Sequence, residues 1–142
     1  MKDDINALDE INKGACMGRD SIKYVLDLTE EIKLKKILKK QHNEYLKIIK
    51  KIENLYSKYS SKSPHQTNKI TKVMTWYGIE MRINKEDNST KIAELYIKGT
   101  TMGIIEGRKL LNNKNISKKV NKIINDFVLM QEKSVEELKT FL

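Results

Sequence analysis

The sequence predicts an all-α protein made of two helical hairpins of one design, joined by a long connection that carries a short helix. Three observations predict it. Lys13-Gly14-Ala15-Cys16-Met17-Gly18 returns as Lys98-Gly99-Thr100-Thr101-Met102-Gly103. Apolar residues recur in steps of three and four, the period of a helix with one buried face. A single proline interrupts 142 residues. A chain of this length forms one domain that can stand on its own core without disulfides or structural metal.

The leading helix of the first hairpin (residues 3–59) should start at Asp3 or Asp4, whose carboxylates can cap free amides, and reach about Leu26. Its stripe is Leu8, Ile11, Ala15, Gly18, Ile22 and Val25. Thr29 is the expected cap of the second helix, where Leu34, Leu38, Gln41, Tyr45, Ile48, Ile52, Leu55 and Tyr59 keep the same rhythm. A connection this short makes the two helices antiparallel neighbours.

Ser60-Ser61-Lys62-Ser63-Pro64 ends the hairpin, because proline lacks an amide donor and disfavours helical geometry in the residue before it. Residues 60–88 form the crossover, with a short helix expected over 67–84. That helix is apolar in more than one direction. Ile70, Val73, Met74, Tyr77 and Met81 can lie on the bundle, which leaves Trp76, Ile79 and Ile83 as a candidate interface, with a homodimer or an unidentified protein partner as its expected use.

Asp87, Asn88 or Ser89 should cap the leading helix of the second hairpin (residues 89–142), whose stripe is Ala93, Tyr96, Thr100, Gly103, Gly107 and Leu110. Asn112 to Asn115 forms a turn and Ser117 a cap. The last helix then presents Ile124, Val128, Gln131, Val135, Leu138 and Leu142. Both stripes sit at a constant offset from their counterparts in the first hairpin, so the repeat extends beyond the shared motif. Helices of this size are roughly 36 Å long, and a crossover of this length can travel the whole bundle.

Two hairpins with a full-length crossover resemble the ferritin-like bundle, and the pattern is similar to small bacterial proteins built from the same doubled hairpin. In rubrerythrin-like relatives a glutamate from each leading helix and a Glu-x-x-His motif from each trailing helix hold two irons. The resemblance carries those ligand positions onto Ala15, Thr100, His42, Tyr45, Glu132 and Val135. Only His42 and Glu132, with Tyr45 as a phenolate, keep ligand chemistry. Such a set cannot encircle two irons, so neither a metal nor another cofactor is expected. The resemblance implies the fold and argues against its usual activity. The expected role is structural or interactive. A metal oxidase or peroxidase using His42, Tyr45 and Glu132 is the competing enzyme class.

Five of the six glycines lie within helices, as Gly14-x-x-x-Gly18 and Gly99-x-x-x-Gly103-x-x-x-Gly107. An interior glycine costs a helix about 1 kcal/mol relative to alanine, so the stripes need compensation. Close packing of the two leading helices is the expected use, because dry voids forfeit dispersion contacts. The opposite reading is a cavity for a small ligand.

Other residues have simpler roles. Gln41 and Gln131 should pair with each other or with Tyr45 and Thr100, since buried amides need partners. Glu106 should lie at a rim beside Arg108 or Lys109, Cys16 in the core, and His65 in solvent. The lone cysteine and the polar start point to a reducing, cytoplasmic compartment. No apolar run approaches the roughly 20 residues a membrane span requires. The net charge of +9 suggests nucleic acid as a further partner. Against that stand only three arginines, glutamates interspersed among the lysines of the second helix, and no aromatic residues placed for base stacking.

Overall fold

A computed structural model describes residues 2–62, 64 and 88–142. Four helices and no strand occur among them: α1 (Lys2–Leu28), α2 (Ile32–Tyr56), α3 (Asn88–Leu111) and α4 (Lys118–Lys139). The expected crossover helix, with Trp76, Ile79 and Ile83, lies outside the described residues, as does His65.

The stripes determine which faces turn inward. Leu8, Ile11, Ala15, Ile22 and Val25 of α1 are buried, as are Leu34, Leu38, Gln41, Tyr45, Ile48, Ile52 and Leu55 of α2. Each aliphatic side chain removed from water contributes about 1.5–3 kcal/mol, which secures the periodicity. In α4, Ile124, Val128, Gln131 and Leu138 are buried, but Ser134 takes the innermost place beside half-buried Val135. Leu142 is exposed because α4 ends three residues earlier, at Lys139.

Local capping departs from expectation in the first hairpin. The Thr29 hydroxyl donates to the Val25 carbonyl at 2.6 Å, so Thr29 closes the end of α1. Glu31 occupies the N-cap of α2 and makes no side-chain capping bond. A threonine between two helices can satisfy an orphan carbonyl behind it as readily as an orphan amide ahead. Ser117 does cap α4, accepting from the Val120 amide at 3.4 Å.

Polar contacts fix the topology. The Ser117 amide donates to buried Asp4 Oδ1 at 2.8 Å, which ties the start of α4 to the start of α1. Tyr56 Oη, at the end of α2, donates to Asp9 Oδ2 at 3.4 Å. Thr90, near the start of α3, donates to the Phe141 carbonyl just beyond α4 at 2.9 Å. Ion pairs Lys40–Glu137 (3.4 Å) and Lys51–Asp126 (3.8 Å) lay α2 antiparallel along α4. The helices therefore alternate around the bundle in the order α1, α2, α4, α3. The end of α2 and the start of α3 therefore lie at opposite ends of the bundle.

Candidate functional site

The helical glycines converge on one feature. A cleft of about 740 Å³ lies between α1 and α3, and Gly14, Gly18, Gly99, Gly103 and Gly107 all line it. Its side walls are largely apolar, with Ile11 and Met17 from α1 and Met102 and Leu110 from α3. Tyr45 from α2 and Phe127 and Gln131 from α4 reach across the bundle to form its floor. This volume lies within the range of small-molecule sites, which are typically concave, mostly apolar and equipped with a few polar groups.

The sequence points to backbone approaching backbone along the glycine stripe. In the structure, side chains from the two trailing helices occupy the space instead. A Cβ on Gly18 would land in the Tyr45 ring, one on Gly103 would meet the Gln131 amide nitrogen, and one on Gly107 would strike Val128 Cγ2. At Gly14 a Cβ would rest 3.6 Å from Phe127, an ordinary contact. The glycines thus admit large residues from α2 and α4 into the centre. The Tyr45 and Phe127 rings meet edge to face there, with centroids 6.1 Å apart.

A polar layer crosses the floor. Gln131 Nε2 donates to Tyr45 Oη at 3.3 Å. Burial pushes the Tyr45 phenol up from its ordinary value, against the opposing influence of Gln131, Tyr96 and Thr100. The phenol is therefore held neutral. Gln131 and Thr100 are only 2% and 4% exposed, yet Gln131 Oε1 and Thr100 Oγ1 have no hydrogen-bond partner among the described residues. Thr100 lies near enough to influence the phenol without reaching hydrogen-bond geometry. Gln41 is separate from this layer; its Nε2 reaches the Ser134 carbonyl at 3.5 Å. The predicted pairing of the glutamines with Tyr45 is thus observed for Gln131 alone.

The six positions of the di-iron pattern do not form a metal-binding group. Ala15 and Thr100 are buried and carry no carboxylate. Glu132 is committed to Arg108 at 2.6 Å, with both side chains substantially exposed. Tyr45 belongs to the cleft floor, while Val135 lines a shallower hollow with Ile104 and Leu129 on another face. His42 is partly buried, and burial followed by the nearby charges of Arg19 and Lys23 lowers its pKa. Among the described residues, no three histidine, cysteine, aspartate or glutamate side chains gather as a candidate metal site.

Charged residues mark one mouth of the cleft. Glu10 pairs with Lys13 at 3.0 Å and Glu106 with Lys109 at 3.5 Å, each within its own helix. Glu106 is thus an exposed rim residue, and Cys16 is buried, with burial raising its thiol pKa despite the opposing Arg19 charge. Sequence periodicity alone does not disclose that Phe127 and Met17 line the cleft. The clue is the five glycines, which mark where something other than the two leading helices must fit.

Among the described residues, the fold and this site define a bundle of four helices with a largely apolar cleft between α1 and α3. The chain matches no known protein family, no curated protein and no solved structure. No helix among the described residues is long and apolar enough to cross a membrane.

Proposed function

We propose that this protein is a ferritin-like bundle that acts by binding a small organic molecule, without catalysis by a resident metal. The observation that carries the reading is the glycine-lined cleft, whose lining includes Tyr45 and Thr100, two positions assigned to metal ligands by the resemblance. Two antiparallel hairpins, with α2 ending and α3 starting at opposite ends of the bundle, support the ferritin-like frame. The engagement of Glu132 with Arg108 supports the loss of its metal chemistry. In this reading the interior that relatives devote to irons receives an organic guest, and the role is that of a carrier, sensor or ligand-dependent interaction protein.

Protein purified without chelator or affinity metal tests this directly. Elemental analysis should find iron and manganese far below one per chain, and solvent extraction should release an organic molecule. A Gly14→Leu variant, whose side chain projects towards the cleft, should lose that molecule while keeping its helical circular dichroism. Stoichiometric iron or manganese that disappears on changing His42 and Glu132 would establish the oxidase class instead.

A further inference from the structure

The ion pairs Lys40–Glu137 and Lys51–Asp126 mark the seam along which α2 lies against α4. Steps of three and four residues from these partners reach further lysines on the same side of each helix. On α2 they are Lys33, Lys36 and Lys47, with Lys58 just beyond its end, and on α4 they are Lys119, Lys122 and Lys133. Each is exposed, and none forms an ion pair among the described residues.

The nearby carboxylates leave this charge standing. Those of α4 are all paired: Asp126 and Glu137 across the seam, Glu132 with Arg108, and Glu136 with Lys139. On α2, Glu53 lies towards α1, where it acts on Arg19 and Cys16. Half-buried Glu44 remains, with Glu30 and Glu31 in the loop at one end. The glutamates that interleave with the α2 lysines in sequence therefore do not neutralise them in space. From Lys33 to Lys51 the helix rises about 27 Å, and packed helices lie about 8–10 Å apart, so the ammonium groups form two parallel rows on one flat face.

The composition of the face selects among anionic partners. Neither α2 nor α4 carries an arginine for bidentate recognition of phosphate or base, and their aromatic residues Tyr45, Tyr56 and Phe127 are buried, which leaves no ring for base stacking. Large aliphatic side chains are exposed there instead. Leu129, four residues before Lys133, is 50% exposed, and Ile32, one turn before Lys36, is 70% exposed. Lysines with aliphatic residues among them suit the boundary between lipid headgroups and acyl chains.

We infer that the outer face of α2 and α4 docks on an anionic lipid bilayer, with the lysine rows against the headgroups and Leu129 and Ile32 dipping between them. The binding is peripheral and independent of the cleft, which opens between α1 and α3.

Co-sedimentation of the full chain with vesicles tests this, using phosphatidylcholine alone and phosphatidylcholine mixed with phosphatidylglycerol. The protein should bind the mixed vesicles, leave the neutral ones in solution, and dissociate as salt is raised. Lys36→Ala with Lys47→Ala and, separately, Lys119→Ala with Lys122→Ala should each weaken binding about twenty-five-fold, at about fivefold for each lysine. Lys23→Ala with Lys98→Ala removes the same charge from α1 and α3 and should change binding by less than about twofold. Leu129→Ser should weaken it about fivefold through lost apolar contact. Equal binding to both kinds of vesicle, or binding to neither, overturns the inference. So does an equal loss in the Lys23 and Lys98 variant, which would make net charge, rather than this face, the determinant. Tighter binding to a short DNA duplex than to the mixed vesicles, unaffected by Leu129→Ser, overturns the lipid assignment in favour of nucleic acid.

Discussion

The α2–α4 pair, the trailing helices of the two hairpins, and the α1–α3 pair, the leading ones, solve the packing problem in opposite ways. The first pair carries large inward residues, Tyr45, Ile48, Ile52, Ile124, Phe127 and Val128. The second carries small ones at its centre, Ala15, Gly18, Thr100, Gly103 and Gly107. Mass supplied by one pair can fill the interior only where the other withholds it. The complementarity is incomplete, and what remains is the cleft. Glycine here serves to seat side chains from the trailing helices, and the residual space becomes available to a guest.

The largest effect should separate the filled side from the open one. Phe127→Ala removes a buried ring that supports both Tyr45 and the cleft floor, and should cost about 3–5 kcal/mol in urea denaturation. Met102→Ala, on the opposite wall and 68% exposed, should change stability by about 0.5 kcal/mol or less. Similar losses at the two positions would show that the cleft collapses onto Met102 in solution and would break the contrast.

Two glycines on one stripe sharpen it further. Gly18→Ala drives a methyl group into the fully buried Tyr45 ring, an overpacking of about 1–3 kcal/mol that the helix preference for alanine offsets only in part. Gly14→Ala places the same methyl in ordinary contact with Phe127 and should stabilise the protein by up to about 1 kcal/mol. Opposite shifts in thermal midpoint are the expected result. A stabilising Gly18→Ala would mean that Tyr45 has room to retreat.

These glycines also show how far the sequence could be read. The stripe period identifies which face of α1 turns inward, because burial follows the helical repeat. It does not distinguish whether the neighbouring object is a backbone or a side chain, which depends on how far apart two helices settle. For the same reason the sequence offers the cleft only as the alternative to close packing: volume is a property of several elements together. Thr29 illustrates a local limit, since its hydroxyl serves either the helix before it or the helix after it, and chain geometry decides. The polar layer was partly legible. Gln131 and Tyr45 fall within apolar stripes and were bound to seek partners, whereas Gln41 found the Ser134 carbonyl through a residue that no stripe included.

A smaller effect concerns the bridge that joins the second hairpin outside the cleft. Arg108 and Glu132 are close but well hydrated, so Arg108→Ala should cost about 1 kcal/mol or less, with the difference shrinking as salt is raised. The same change should leave the affinity of the cleft for an organic guest unaltered, because the pair lies off the floor that holds Gln131. A loss of affinity there would indicate that the α3–α4 spacing sets the width of the cleft, and the two pairs of helices would then be coupled.

His42 supplies the smallest expected effect, and it probes the contact between α2 of the filled pair and α1 of the open one. Burial and the charges of Arg19 and Lys23 lower its folded pKa below the unfolded value near 6.5, so the neutral imidazole is favoured in the native protein. The unfolded chain therefore takes up the proton first as pH falls, and the contribution of His42 to stability, present above about pH 6.5, is lost on acidification through that range. His42→Gln should flatten the decline in denaturation midpoint between pH 7 and pH 5 while leaving the midpoint at pH 8 nearly unchanged. A steeper decline in the variant would reverse the sign and place a carboxylate, rather than Arg19 and Lys23, as the dominant charge acting on the imidazole.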